Sequence, residues 1–152
     1  RNVFAAGDVA RWPNALFTDI ESDMRVEHWT NAAEQGAHAA KNLLAVMRNE
    51  KVEPYAAVPF FWSDQFDARI QFLGRATADA VVDVVAGNTA DGKWCAIYSV
   101  NNRLTGVLGV SMPKLVMPSR ALLSTHTSRT DALAHFERVL AAQAAAAPPP
   151  AR

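Results

Sequence analysis

The sequence predicts an α+β fold, with an antiparallel sheet and flanking helices. Two observations point that way. Three or four β-rich stretches follow one another in FDARIQFLGR, DAVVDVVAGN, KWCAIYSV and RLTGVLGV. Turn chemistry separates the later ones (NTADGK and NNR), and apolar residues at helical spacing occur only before and after the block. Consecutive strands with segregated helices are the layering of an α+β domain.

The elements follow in order. Residues 2–6, NVFAA, form a short apolar strand ending at Gly7-Asp8. A loop-like stretch with Pro13, Asn14 and TDIESD comes next, and RVEHW leads into a helix. Asn31 and Glu34 have the offset of a capping box, with Thr30 as an alternative cap. Ala33, Gly36 or Ala37, Ala40, Leu43, Leu44 and Met47 make the helical stripe. Its many small residues suit close approach to another backbone.

Pro54 and Pro59 punctuate VEPYAAVPFFWSDQ, which is expected as a crossing segment rather than a regular element. In the sheet block, Gly87-Asn88 and Asn101-Asn102 suit tight hairpins. MPKLVMPSRALLS is a helix weakened by Pro118. TDALAHFERVLAAQAAAA is a better helix, capped by Thr130 or Ser128, with Leu133, Phe136, Val139 and Leu140 as its stripe. Two units result. Residues 1–50 hold too little sheet to stand alone, residues 54–145 form the α+β unit, and residues 146–152 are a disordered tail.

Composition narrows the function classes. The 152 residues are 50% apolar, enough for one core, and 15 basic residues balance 15 acidic ones. Global charge therefore argues for neither nucleic acid nor an anionic membrane surface. No apolar run approaches the roughly 18 residues of a membrane span, so a soluble cytoplasmic protein is expected. The single cysteine, Cys95, sits in the alternating KWCAIYSV and is expected as a buried thiol. His38, His126 and His135 lack ligand-like spacing with Cys or acids, so no metal site is expected.

Charge is unevenly spread. Residues 92–130 contain no Asp or Glu but do contain Lys93, Arg103, Lys114, Arg120 and Arg129. Asp19, Glu21, Asp23, Glu27 and Glu34 form an earlier acidic stretch. Either these are two differently solvated faces, or the basic one docks an acidic partner.

A strand ending in Gly-Asp also has a chemical use. Glycine lets a ligand approach the backbone, and the carboxylate accepts hydrogen bonds from sugar-like hydroxyls. Alone, the pair is ordinarily a turn. In company it says more. VFAAGDVARWP, RVEHWTNAAEQG and PYAAVPFFWSDQF, in that order, resemble the C-terminal third of the FAD-dependent NAD(P)H:ferredoxin reductases of the pyridine nucleotide-disulfide oxidoreductase superfamily. The resemblance runs from Val3 to about Ala121 and is loose beyond Thr130.

What the resemblance implies is specific. The opening strand and first helix would complete an FAD-binding Rossmann-like domain, and the FWSD segment would open a separate C-terminal domain. The glycine-rich nucleotide fingerprints lie upstream in the family; GNTADG and GVLG lack the strand-to-helix setting they need. Gly7 and Asp8 would meet the ribityl chain of FAD. Trp29 would lie against the flavin's pyrimidine side, where a helix N-terminus favours the reduced anion. Trp62 would return to the isoalloxazine edge, with Phe60 on its side and Phe61 packing opposite.

Glu27 and His28 suggest acid–base chemistry, but hydride transfer to flavin needs no base from the protein. An orienting role is expected, and no side chain is assigned as catalytic. Ser63 and Asp64 suit a cap or turn.

The function implied is passage of electrons from NAD(P)H through FAD to an acidic [2Fe-2S] ferredoxin serving an oxygenase or cytochrome P450. The cluster would belong to the partner, since one Cys cannot hold it. The competing reading is a non-catalytic assembly module derived from the same fold, without bound cofactor. A yellow chromophore separates the two, and this stretch alone is expected to lack one.

Overall fold

The computed structural model describes residues 3–146. The expected disorder of the tail, from residue 147 onward, lies outside the described residues. Five antiparallel strands form one sheet in the order β1-β2-β5-β4-β3. They are β1 (Phe60–Gln65), β2 (Ala68–Gly74), β3 (Val81–Asn88), β4 (Lys93–Val100) and β5 (Arg103–Val110). The helices are α1 (Trp29–Met47), α2 (Pro113–Val116), α3 (Arg120–Ser124) and α4 (Arg129–Ala145). This is the expected α+β architecture.

Register assigns the faces. Leu73 pairs with Val107 and Val107 with Ile97, and this row joins Leu115, Val116, Leu123, Ala132 and Phe136 of the helices in the main core. Gly109 lies on the same face, and a methyl there would sit 2.4 Å from Val116, so the missing side chain admits α2. Phe61, Phe72 and Tyr98 occupy the opposite face as a chain of ring contacts at 5.7 and 5.5 Å. Cys95 is fully buried, and burial pushes its thiol pKa up to about 12.

The β4–β5 hairpin turns at Asn101 and Asn102, both left-handed (φ 48° and 61°) as a type I′ turn requires. Ser128 caps α4 by accepting from the Asp131 N–H at 3.1 Å. Pro118 sits in a 3₁₀ turn that divides α2 from α3.

Five expectations are corrected. Residues 3–6 form no strand, because no described strand lies beside them to pair with. Residues 60–65 of the crossing segment are an edge strand that starts just after Pro59, where a missing N–H is tolerated. Gly87 and Asn88 remain within β3; the reversal falls on the next four residues, where Asn88 Oδ1 accepts from the Ala90 N–H and Gly92 adopts φ 64°. The N-cap of α1 is His28, with no side-chain bond; Asn31 instead donates to the Val26 carbonyl at 3.1 Å, and Thr30 to that of Phe60. Finally, the α1 stripe is uncovered at its end, with Leu44 49% and Met47 71% exposed, while Asn31 and Gln35 are its buried residues.

Charge segregation resolves into pairing between the two halves of the chain. Arg103, 8% exposed, reaches Asp19 and the Leu16 carbonyl, and its guanidinium lies 5.4 Å from the Phe17 ring centre. Arg75 meets Glu21 at 2.7 Å. These contacts fasten residues 12–26, which carry a small core of Phe17, Met24 and Val26, onto the sheet.

Arg129 grips Asp83 with two bonds of 2.7 and 2.5 Å. Those bonds, against the opposing effect of partial burial, hold the Asp83 carboxyl below its usual range. The sign follows from linkage. The contribution is complete above the unfolded value, near pH 4, and is lost as pH falls through the lower folded value. Asp83→Asn should therefore flatten the acid limb of stability below about pH 4, read from urea midpoints against pH. An unchanged slope would show that the pair contributes nothing.

Candidate functional site

The first turn of α1 straddles the edge strand β1. Trp62 pairs with Gln71, which places it on the helix-covered face, whereas Phe61 pairs with Phe72 on the other. On the first side the Trp29 and Trp62 rings meet edge to face at 6.4 Å and 77°. Phe60 stacks on Trp62 at 5.8 Å, and the Arg69 guanidinium lies 5.8 Å from the Trp62 ring centre. On the second side His28 packs on Phe61 at 4.8 Å. The hydrogen bond from Thr30 to the Phe60 carbonyl locks helix and strand together.

Gly7, Asp8 and Val9 make one 3₁₀ turn against the same helix start. Gly7 has φ 74° and donates its N–H to Gln35 Oε1 at 2.8 Å. A methyl at Gly7 would stand 3.3 Å from the Ala32 Cβ, so the glycine is required by both conformation and contact. Asp8 is exposed, and its charge raises the proton affinity of His28. Burial, first, and the Arg75 charge outweigh it, leaving the His28 pKa lowered. His28 Nδ1 is buried without a hydrogen-bond partner.

The four residues picked from sequence, Gly7, Asp8, Trp29 and Trp62, thus all lie around the α1 start. Trp29 is 77% exposed, an unusual state for an indole with so much apolar surface. No side chain caps the opening N–H groups of α1. The cavity lined by Trp29, Thr30, Phe60, Phe61 and Trp62 measures about 90 Å³. That suits one edge of a planar ring system, not a whole dinucleotide.

Sequence reasoning missed Thr30 and Gln35 as the groups that hold strand, turn and helix in register. The signal was present in Gln35, a polar residue among alanines where a stripe was expected. Among the described residues no three His, Cys, Asp or Glu gather as a metal site. None of the described helices is long and apolar enough to cross a membrane.

Of the five basic residues expected as a docking face, three are engaged within the protein. Arg103 is buried, Arg129 is bound to Asp83, and Arg120 donates to the Val58 carbonyl at 3.0 Å. Lys93 and Lys114 are exposed and line a separate cavity of about 330 Å³.

The family comparison agrees with this architecture. The reductase C-terminal family matches residues 60–145, and the chain belongs to that family. It is 31% identical over 129 residues to rhodocoxin reductase of Rhodococcus erythropolis, covering 85% of this chain and 28% of that protein. It is 32% identical over 125 residues to the ferredoxin–NAD(+) reductase component of the anthranilate 1,2-dioxygenase system of Burkholderia cepacia, covering 82% and 29%. The structure of a ferredoxin reductase from Rhodopseudomonas palustris superposes with a TM-score of 0.65 at 28% identity, covering 82% and 28%. The chain spans under a third of the length of these relatives.

Proposed function

We propose that this chain is the flavin-capping part of a longer reductase that carries electrons from NAD(P)H through FAD to a [2Fe-2S] ferredoxin. The observation that carries the reading is the Trp29–Trp62 pair at the uncapped start of α1, with the Gly7-Asp8 turn packed on the same helix at Ala32 and Gln35. In this reading residues 1–50 belong with the FAD-binding domain and residues 54–145 form the C-terminal domain. The named relatives that act with ferredoxins support the partner class. FAD, when bound, supplies the chemistry that takes a hydride and releases electrons singly.

The chain's own residues do the holding. Asp8, exposed and beside a glycine, accepts hydrogen bonds from ribityl hydroxyls. The open N–H groups of α1 favour negative charge on the ring edge, each such contact contributing on the order of 1 kcal/mol. The two indoles exclude water, and Arg69 fixes one of them from behind. His28 stays neutral near pH 7 because burial and Arg75 oppose its protonation.

The test is made in the complete reductase. Asp8→Ala should weaken flavin retention by about tenfold or more, the loss of a charged hydrogen bond. Trp62→Ala and Trp29→Ala should raise the fluorescence of bound flavin by removing neighbouring indoles. Unchanged flavin content and fluorescence in all three would overturn the reading.

A further inference from the structure

Each of the residues His28, Trp29 and Thr30 meets one residue of β1. His28 packs on Phe61, Trp29 meets Trp62 edge to face, and Thr30 donates its hydroxyl to the Phe60 carbonyl. Only the last contact is strongly directional. Aromatic pairs accept a range of offsets and tilts, whereas a hydrogen bond weakens steeply as its angle closes. Among the described residues it is also the one hydrogen bond between α1 and β1.

Register explains why the bond forms. In an antiparallel pair, successive residues aim their backbone groups alternately toward the partner strand and away from it. The Gly74 N–H donates to the Pro59 carbonyl, so the carbonyl of the next residue, Phe60, points away from β2 to the open edge. Among the described residues β1 has no neighbouring strand on that side, and Thr30 supplies the donor instead. Phe60 in turn stacks on Trp62 at 5.8 Å, so the residue that is bonded also carries the indole. Burial holds the indoles only weakly. Trp29 is 77% and Trp62 39% exposed, so their contact removes little apolar area from water.

We propose that Thr30 is the positioning residue of the candidate site, its hydroxyl fixing the start of β1, and with it Trp62, against Trp29. The two indoles then form one preformed wall, contributed by both units of the chain, instead of two side chains that reorient independently. A preformed wall loses less freedom when a ring system settles on it. The wall itself needs no cofactor; its use in holding a flavin rests on the function proposed above.

Thr30→Val removes the donor and keeps the β-branched shape, whereas Thr30→Ser keeps the donor. Indoles this close couple their electronic transitions and give a couplet in circular dichroism. The chain has four tryptophans, so Trp62→Phe identifies the couplet of this pair by difference. In the 152-residue chain Thr30→Val should lose most of that couplet with the helix signal unchanged, and Thr30→Ser should retain it. In the complete reductase Thr30→Val should lower kcat about tenfold with little change in KM for NAD(P)H, since small displacements beside a reacting centre are costly, and Thr30→Ser should restore the rate. A couplet intact in Thr30→Val would overturn the inference, as would equal loss in the valine and serine variants. So would a general loss of helix signal in Thr30→Val, because the bond would then support the fold and not the pair. A couplet lost with valine and kept with serine, while flavin content, flavin fluorescence and kcat stay unchanged, would uphold the role of Thr30 and overturn the flavin reading instead.

Discussion

Gly74→Ala is expected to destabilise the protein by about 3–5 kcal/mol, as left-handed backbone strain and steric overlap add. Gly74 ends β2 at φ 92°, and a Cβ there would lie 2.2 Å from the Thr105 carbonyl oxygen and 3.0 Å from the Gly106 Cα. Both are backbone atoms in the paired strand β5, so no rotamer change relieves the clash. Gly92 is the control. Its φ is 64°, yet a methyl group there would meet nothing within 4 Å, so Gly92→Ala should cost only about 1 kcal/mol. Urea denaturation of the two variants separates conformational strain from collision. The Gly74 N–H also donates to the Pro59 carbonyl at 2.8 Å, next to Phe60. Damage there should reach the Trp29–Trp62 pair and alter tryptophan fluorescence. Equal losses at both glycines would show that the Thr105 contact relaxes without cost.

Arg103→Met should loosen the amino-terminal segment while sparing the sheet. The substitution keeps an apolar stem but removes the bond to the Leu16 carbonyl, the contact over Phe17 and the pair with Asp19. The Asp19 side chain is 53% exposed, so its pair is discounted for solvent screening. The remainder comes from an unsatisfied carbonyl and a lost cation–π contact, about 2–3 kcal/mol together. Hydrogen exchange should accelerate across residues 12–26 and leave β4 and β5 protected. Arg103→Lys should not rescue it, since a point charge cannot serve both oxygens and the ring at once. Uniform acceleration over the whole chain would instead mean that the segment and the sheet unfold as one unit.

Local chemistry decided several elements before any tertiary contact. Two asparagines in sequence tolerate left-handed backbone, so the β4–β5 turn was legible at Asn101-Asn102. Ser128, three residues before the Asp131 of α4's first turn, announced that helix start, and Pro118 its predecessor's break. Cys95 within an alternating run was expected to be buried, and it is. The motif blocks around Asp8, Trp29 and Trp62 resembled a reductase, and the family match to residues 60–145 bears out that membership.

What the sequence could not convey is partnership across distance. A strand needs a neighbour, so residues 3–6 stayed irregular and residues 60–65 became an edge, against the expectation for both. A capping box needs free side chains, and Asn31 and Thr30 were drawn to Val26 and Phe60 instead. Within the run of five basic residues, Arg103 and Arg129 find acids that lie far off in sequence. Folding brings Asp19 to Arg103, whose buried guanidinium must find oxygen, and Asp83 to the partly exposed Arg129. Sequence by itself thus determined the Asn101-Asn102 turn, the later alternating strands and the family. Tertiary structure alone decided which charges were internal, which edge strand meets the start of α1, and that Trp29 and Trp62 pack together there while the turn at Gly7 rests on the same helix. Hydrogen bonding and charge pairing are settled by proximity in space, which local pattern does not encode.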